Sequence, residues 1–301
     1  MKALEPTNLR IAFLTHLHAD HTLGLPDLIL TPWIMGRKEP LELYGPTGTR
    51  DMVRHILEAY DADIKTRTEG LEHSNHTGYK VNVHEITPGV VYKDASVTIK
   101  AFNAYHGSPQ NTFGYRFETP GRVIVISGDG TPKSDVLQNC NGCDVLIHEV
   151  FTQASFDKVS PEWKQYREAF HTSTRQLAEI ANKAKPVLLV LYHRANPGSD
   201  QARTRECREA VSEEQMLKEI RELYKGKVMA GPDKTLFLFI PQYSTTQEVR
   251  ACCYAKSLWH RDKWTPHRLE QNQMFRSLWA SAKAMRSARA LFRRRPQLLL
   301  P

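Results

Sequence analysis

The sequence predicts a mixed α/β protein (α+β) in which sheets are covered by helices. Residues 10–242 alternate between short strand-like runs and longer helix-like segments. Chains with this pattern bury their apolar faces by packing helices against sheets. The composition, 41% hydrophobic and 25% charged, is that of an ordinary globular protein. Because no apolar run approaches the ~20 residues that a membrane-spanning helix needs, we expect no transmembrane segment.

The strand candidates are short runs that are rich in β-branched residues and bounded by Gly, Pro or Asp. Such runs are typical of strands. They cover residues 11–14, 41–44, 80–86, 97–102, 113–118, 123–127, 145–148, 187–192 and 235–240.

The helix candidates carry apolar residues at helical spacing and cover residues 49–60, 161–170, 174–184 and 205–224. Ser173 is a predicted N-cap of the third helix, and Gly226 follows the fourth as a stop signal.

The net charge of +8 is concentrated at the C-terminal end. Residues 243–301 carry 12 Lys and Arg against three acidic residues, which leaves residues 1–242 with 29 bases and 30 acids. The charge therefore predicts nothing about a site in the first part of the chain. We expect one domain over residues 1–242 and a basic extension over residues 243–301, helical or poorly ordered.

The basic extension carries apolar residues at helical spacing among its Arg and Lys. A basic amphipathic stretch of this kind can contact nucleic acid, a membrane or a partner helix. An appended helix of marginal stability and no function is the alternative interpretation. The apolar residues are Met274, Phe275, Leu278, Trp279, Met285 and Phe292.

Five scattered cysteines favour a reducing, cytoplasmic compartment over a disulfide framework. The first six residues contain no apolar signal-peptide core. Cys140 and Cys143 form a C-x-x-C pair without a second pair nearby, and we expect them to be structural thiols.

The most informative stretch directly follows the strand-like residues 11–14. His16, His18, Asp20 and His21 place four potential metal ligands within six positions. Imidazoles and a carboxylate are ligands that zinc, manganese and iron accept. A His-rich surface loop is the alternative interpretation. The other histidines considered, His55, His73, His76 and His84, are expected on the surface.

Three later residues stand at the ends of strand-like segments, where further ligands are expected. His106 follows the segment at 97–102, Asp129 follows the buried run at 123–127, and His193 follows 187–192. Strand ends converge at one edge of a sheet, where enzyme sites tend to lie. The sequence therefore predicts one metal centre that draws on all three segments.

These ligands, in this order, resemble the ligand set of the metallo-β-lactamase fold, an αββα sandwich. Within that superfamily the chain is most similar to the ribonuclease Z and arylsulfatase-like group, over roughly residues 10–242. The supporting blocks are Gly114-Tyr115-Arg116, Ser127-Gly128-Asp129, Leu146-Ile147-His148-Glu149 and His171-Thr172-Ser173. The resemblance implies a homodimer.

The resemblance implies a centre of two Zn²⁺ ions, with Mn²⁺ or Fe²⁺ as alternatives. His16, His18 and His106 would hold one ion, and Asp20, His21 and His193 the other. Asp129 would bridge the two ions. A pair of divalent ions can share a hydroxide that attacks phosphorus while the metals neutralise charge on its oxygens.

Three residues are expected to take part directly in catalysis. Asp20 would both ligate a metal and orient the bridging hydroxide. The resemblance indicates His171 as the donor of a proton to the leaving group, held by Glu149. The alternatives are that His171 caps the helix that follows it, and that His148 and Glu149 are an ordinary polar pair at a strand end.

Three departures separate this chain from the group. About ten residues precede the motif strand, so that the first N-terminal strands of the fold are expected to be lacking and a sheet edge exposed. Only 22 residues separate His106 from Asp129, too few for the long tRNA-gripping arm of bacterial ribonuclease Z. Gly130 replaces a usual Thr, and His193-Arg194-Ala195-Asn196 departs from the usual sequence, which affects support of the ligands more than ligation.

The sequence thus predicts a zinc-dependent metallo-hydrolase that uses a metal-bridged hydroxide. A phosphodiesterase or endonuclease similar to ribonuclease Z, acting on RNA or a small ester, is the first hypothesis. An arylsulfatase-, lactonase- or β-lactamase-like hydrolase with the same centre is the second, because a metal hydroxide does not dictate which bond is cleaved. A degraded, non-catalytic homologue or binding protein is the third.

Overall fold

The computed structural model describes residues 5–107, 111–194 and 213–230. The predicted strand at 235–240, the boundary after residue 242 and the basic extension lie outside the described residues, as does the first part of the helix predicted at 205–224. Within this part of the chain, no helix is both long and apolar enough to cross a membrane.

A three-stranded parallel sheet has the strand order β1-β2-β3. Its strands are β1 (Ile11–Phe13), β2 (Leu41–Gly45) and β3 (Val81–Glu85). Among the described residues β1 is an outer strand of this sheet, and the HxHxDH motif follows it directly.

A second sheet has seven strands in the order β10-β9-β8-β7-β6-β5-β4. Strands β4 to β7 pair antiparallel, and β7 to β10 pair parallel. The strands are β4 (Gly89–Lys93), β5 (Thr98–Asn103), β6 (Phe113–Thr119), β7 (Arg122–Ile126), β8 (Val145–Val150), β9 (Leu188–Arg194) and β10 (Val228–Ala230).

Nine α-helices and one 3₁₀ turn (Pro6–Asn8) lie in the described part of the chain. The helices are α1 (Ala19–Thr22), α2 (Leu25–Ile34), α3 (Thr49–Ala59), α4 (Asp61–Glu69), α5 (Val136–Cys140), α6 (Gln153–Lys158), α7 (Pro161–Phe170), α8 (Thr174–Ala184) and α9 (Glu213–Leu223).

The layers follow from the alternation of side chains along the strands. In β1, Ala12 packs with α2, α3 and α4 on one face, whereas Phe13 packs between the two sheets. In the larger sheet, Leu146 and Leu189 pack against α5, α8 and α9 on its outer face. The order is therefore helices, sheet, sheet, helices, which confirms the predicted αββα sandwich.

Aromatic rings fill the space between the sheets. The Phe13 ring lies 5.5 Å from that of Tyr115 and 6.0 Å from that of Phe117, measured between centroids. Such edge-to-face pairs add roughly 0.5–1.5 kcal/mol each beyond the area they bury. They fix the end of β1 against the larger sheet, and hence the motif that follows it.

The cysteine prediction was wrong in one respect, because Cys140 and Cys143 are joined by a disulfide. Both are buried in the core beneath α5 and α8. The two sulfurs come together because Asn141 and Gly142, between the cysteines, both have left-handed backbone (φ 31° and 80°). The C-x-x-C spacing does not reveal this turn, so that the sequence alone did not distinguish a disulfide from two thiols.

Candidate metal centre

The three predicted groups of ligands converge at one end of the sheets. The motif residues His16 to His21 occupy the turn after β1 and helix α1. His106 follows β5, Asp129 follows β7, and His193 is the next-to-last residue of β9. The centre therefore takes side chains from both sheets.

The first candidate group consists of His16, His18 and His106. One ring nitrogen of each lies within 4.8 Å of the others. His106 Nε2 is 3.2 Å from His18 Nδ1, and His16 Nε2 is buried without a hydrogen-bond partner. Three converging ring nitrogens, one of them buried without a partner, fit a divalent ion such as zinc.

The second candidate group consists of Asp20, His21 and His193, which again lie within 4.8 Å of one another. The Asp20 Oδ2 atom is 3.5 Å from Nε2 of both imidazoles. The Asp20 side chain is 67% exposed, in contrast to the two histidines at 17% and 24%. Asp20 is thus the member of this group most open to solvent and substrate.

Asp129 lies between the two groups. Its Oδ2 atom is 3.2 Å from Nε2 of both His21 and His193, and it also groups with His16. Its Oδ1 atom is buried without a partner. Burial raises the pKa of this carboxyl, but His21, His193 and His16 together bring it down to about 2. Asp129 is therefore an anion placed between the two candidate groups.

Two histidines are oriented by their second ring nitrogen. Nδ1 of His106 donates a hydrogen bond to the carbonyl oxygen of Phe170 at 2.6 Å, and Nδ1 of His16 lies 3.0 Å from the hydroxyl of Thr15. Both arrangements leave Nε2 directed to the centre. Hydrogen bonds of this kind fix the tautomer of a metal-binding imidazole. The sequence analysis did not identify Thr15 and Phe170, although both directly precede a site histidine.

Burial keeps these imidazoles neutral. It lowers the pKa of His16 to about 3, with a further contribution from the charge of His21, and the pKa of His106 to about 4. A neutral imidazole binds a metal without first losing a proton. Both rings are therefore in the ligating form at neutral pH.

Backbone strain accompanies two of the candidate ligands. His193 itself has φ 37°, and Tyr105, just before His106, has φ 58°. Both lie in the left-handed region, which residues other than glycine rarely adopt. Strain of this kind persists only where the surrounding structure enforces it, and it clusters at functional sites.

Glu149 and His171 lie beside the centre. Glu149 is fully buried at the end of β8, and its Oε2 atom is 3.3 Å from Nδ1 of His171. His171 also groups with His106 and Asp129, and with Glu149 and His193, within 4.8 Å. The structure thus places Glu149 and His171, two of the three predicted catalytic residues, beside the candidate ligands.

The other carboxylate oxygen of Glu149 connects three loops. Glu149 Oε1 accepts hydrogen bonds from the backbone N–H groups of Thr172 at 2.9 Å and Gly130 at 3.4 Å. The hydroxyl of Thr172 donates in turn to the carbonyl oxygen of Gly130 at 2.7 Å. The loops that carry Asp129, Glu149 and His171 are therefore held in one network.

The electrostatics of this pair favour a shared proton. Burial, followed by the negative charge of Asp129, raises the pKa of Glu149 well above its usual range. Burial lowers the pKa of His171, although Asp129 opposes the shift. A carboxyl with a raised pKa next to an imidazole with a lowered one is suited to hold and release a single proton.

His148 is buried near the end of β8, with Nδ1 donating to the carbonyl oxygen of Glu149 at 2.7 Å. It belongs to none of the groups of candidate ligands in the described residues. The predicted surface histidines, His55, His73, His76 and His84, are all exposed.

A family model described as the beta-lactamase superfamily domain matches residues 2–194. The ribonuclease Z of Mycobacterium bovis (strain BCG / Pasteur 1173P2) is 32% identical over 189 residues, which cover 62% of this chain and 67% of that protein. The ribonuclease Z of Picrophilus torridus is 29% identical over 225 residues, covering 64% and 71%.

Among solved structures, the metallo-beta-lactamase fold protein YhfI from Bacillus subtilis is similar, with a TM-score of 0.54 and 17% identity. The similarity covers 76% of this chain and 77% of that one, and it indicates the fold. The match of the family model and the ribonuclease Z relatives together show that the chain belongs to the beta-lactamase superfamily, as a metal-dependent hydrolase similar to ribonuclease Z.

Proposed function

We propose that this protein is a phosphodiesterase that cleaves RNA at a centre of two zinc ions. The observation that carries the proposal is the pair of three-residue groups with the Asp129 carboxylate between them. The orphaned atoms His16 Nε2 and Asp129 Oδ1, both buried, support a bound cation, because buried polar atoms are otherwise hydrogen-bonded. Nitrogen and carboxylate ligands favour Zn²⁺, with Mn²⁺ or Fe²⁺ as alternatives.

In this proposal His16, His18 and His106 would hold one ion, Asp20, His21 and His193 would hold the other, and the Asp129 carboxylate would be shared between them. Divalent ions at such a centre supply Lewis acidity to a phosphoryl oxygen and lower the pKa of water to about 7. The chain itself supplies position and proton transfer. Asp20, the most exposed member of its group, accepts a hydrogen bond from the attacking water and orients it.

His171 completes the reaction by protonating the leaving oxygen. When the P–O bond of a phosphodiester breaks, the departing ester oxygen leaves as an alkoxide unless it is protonated, and His171 lies next to the candidate ligands His106 and Asp129. The carboxyl of Glu149, 3.3 Å away, restores the proton and holds the ring. General-acid catalysis of this kind contributes roughly 10²–10⁴-fold to the rate.

RNA is the proposed substrate because the relatives that share 29–32% identity are ribonuclease Z proteins. The segment between His106 and Asp129 supports a compact substrate, since β6 and β7 form a plain hairpin there. Dimerisation, binding by the basic extension (residues 243–301) and a cytoplasmic location stay predictions.

Metal content and substrate preference test the proposal together. We expect the purified protein to contain two zinc ions per chain and to cleave RNA and bis(p-nitrophenyl) phosphate faster than an aryl sulfate, a lactone or a β-lactam. Asp129→Ala should lose bound metal and abolish cleavage of both phosphodiesters. The exposed His76, changed to Ala, serves as the control and should alter neither property.

Three results would contradict the proposal. Full activity of Asp129→Ala would remove the bridging role, and hydrolysis of only the non-phosphate esters would replace a phosphodiesterase with another hydrolase of the same family. A protein that binds no metal and gains no activity with zinc or manganese would indicate a non-catalytic homologue.

A further inference from the structure

One face of α7 carries three aromatic side chains. Trp163, Tyr166 and Phe170 have the spacing that places side chains on one side of a helix. The Tyr166 ring stacks on that of Phe170, with centroids 4.5 Å apart and planes inclined by 20°. The Trp163 ring meets Tyr166 edge-on at 5.3 Å. We call these three residues the aromatic stripe.

The stripe begins at the metal centre. Phe170 contacts the His106 ring at 5.0 Å between centroids, and its carbonyl oxygen accepts the hydrogen bond from His106 Nδ1. Gly107, which follows His106, has φ 69°, and a Cβ atom there would lie 2.2 Å from the Phe170 ring. The end of α7 is therefore fixed tightly against a candidate ligand, and the stripe leads away from it.

Tyr166 carries the exposed ring of the stripe, and this ring lies near the proposed proton donor. Its side chain is 40% exposed, and its ring centroid is 6.0 Å from that of His171. The core-facing residue of α7 is Arg167, which is buried and donates to Ser155 Oγ. The exposed ring of Tyr166 is therefore not explained by packing of the helix against the core.

The carboxylates of the candidate centre also affect the pKa of Tyr166. Burial raises the pKa of its hydroxyl, and the carboxylates of Asp20, Asp129 and Glu149 raise it further. The ring thus stands within electrostatic range of the groups that would surround a scissile phosphate.

We propose that Trp163 and Tyr166 form a stacking platform for a nucleobase of the nucleotide that carries the scissile phosphate. The inference rests on the proposed function, since it assigns a subsite to the same centre. Aromatic side chains bind single-stranded nucleic acids by stacking on bases, and this is independent of sequence because every base has a π-face. Tyr166 would receive the base while the phosphate of the same nucleotide lies beside His171.

The test compares ligands that have a phosphate with and without a base. Isothermal titration calorimetry of the zinc-loaded protein measures the dissociation constants of adenosine 5′-monophosphate, adenosine 3′-monophosphate and ribose 5-phosphate. We expect at least one nucleotide to bind roughly 5- to 100-fold more tightly than ribose 5-phosphate, the range given by stacking of one base. Tyr166→Ala and Trp163→Ala should each reduce this ratio without weakening ribose 5-phosphate.

Two control variants separate stacking from general damage. Tyr166→Phe keeps the ring and should keep the ratio. Tyr60→Ala removes a similarly exposed tyrosine, 42% accessible, at the junction of α3 and α4, and should also keep it. Equal thermal unfolding midpoints of the variants show that each is folded.

The inference is overturned if wild-type protein does not distinguish nucleotide from ribose phosphate, or if the ratio survives in both alanine variants. Cleavage of an oligoribonucleotide is measured separately. A base-dependent ratio that is lost in the variants, in a protein that does not cleave RNA, would refute the proposed function and keep the platform. RNA cleavage by a protein that binds nucleotide and ribose 5-phosphate equally well would keep the proposed function and refute the platform.

Discussion

At the scale of single residues, the candidate centre combines two kinds of buried titratable group. His16 and His106 are kept neutral by burial, whereas Asp129 is kept charged by the histidines around it. A metal can therefore replace solvent at this point without a change in the protonation of these three ligands. Glu149 and His171 differ, because their pKa values are shifted toward each other.

If His171 protonates the leaving group, removing its side chain should lower kcat by an amount that depends on the leaving group. His171→Ala should lower kcat for RNA by roughly 10²–10⁴-fold, because a ribose oxygen needs a proton in order to leave. The loss should be much smaller for bis(p-nitrophenyl) phosphate, since p-nitrophenolate leaves without one. Steady-state kinetics with both substrates measure the difference. Equal losses would assign His171 to metal binding instead, which metal content would then report.

The burial of His148 predicts that the metal-free protein loses stability as the pH falls. Burial lowers the pKa of His148 from 6.5 to about 4, and the unfolded chain therefore takes up a proton that the folded protein does not. The contribution of His148 to stability is complete above pH 6.5 and is lost as the pH falls toward 4. Urea unfolding in EDTA should show a pH slope that His148→Gln reduces by about 1.4 kcal/mol per pH unit. An unchanged slope would contradict this.

At the scale of elements, the network around Glu149 depends on how closely the loops approach one another. A Cβ atom at Gly130 would lie 2.1 Å from the carbonyl oxygen of Ala104, two residues before His106. Gly130 therefore lets the loop of Asp129 touch the segment that carries His106. The two loops are therefore closer than a residue with a side chain at position 130 would allow.

Gly130→Ala is expected to separate these loops. Overpacking of this kind typically costs about 1–3 kcal/mol of stability, and the displaced ligands should also bind zinc more weakly. Gly121→Ala is the matched control, because a Cβ atom there meets nothing within 4 Å. Denaturant unfolding and zinc titration measure the two effects. Equal stability and equal zinc affinity of the two variants would show that the loop accommodates the added methyl group without displacing the candidate ligands.

The elements that could be predicted from sequence are those with strong local signals. Helix α8 begins and ends at the predicted residues, since Ser173 and Gln176 form a capping box and the apolar spacing is regular. Helix α2 was missed because Pro26 and Pro32 argue against a helix, although Pro is tolerated in the first turn. Strand β4 was missed because it is short and Val90 is exposed.

The convergence of the candidate ligands could also be predicted, since each follows a strand. The network of Glu149 with Gly130 and Thr172 could not, because it runs through backbone N–H groups that every residue possesses. The aromatic stripe at Trp163, Tyr166 and Phe170 looks like an ordinary amphipathic helix in the sequence. Only the packing of Phe170 on Gly107 places it at the centre.

At the scale of the whole molecule, the candidate centre joins the two sheets. The four ligands after β1 belong to the smaller sheet, and His106, Asp129 and His193 belong to the larger one. The sheets otherwise meet through the aromatic layer around Phe13. An ion bound by both groups therefore stabilises the packing of one sheet on the other.

This arrangement predicts that metal and stability are coupled. Zinc at 100 times its dissociation constant should add about 2.7 kcal/mol to the free energy of unfolding, and EDTA should remove it. Differential scanning calorimetry of the wild-type protein and Asp129→Ala measures the effect. The variant should unfold at the same temperature with and without zinc. If neither zinc nor EDTA changes the thermal unfolding midpoint of the wild-type protein, the centre does not link the sheets.

The sequence separation of the candidate ligands has a consequence for the order of folding and metal binding. His16, His18 and His21 are neighbours, but His106 follows His21 by 85 residues and His193 follows Asp129 by 64. Contacts this distant in sequence form late, because the chain must first close long loops. In the proposed centre, the turn after β1 supplies only part of the ligand set, and a complete set requires both sheets. Tight metal binding would therefore come at the end of folding, and a chain that stops short of β9 would hold its ion only loosely.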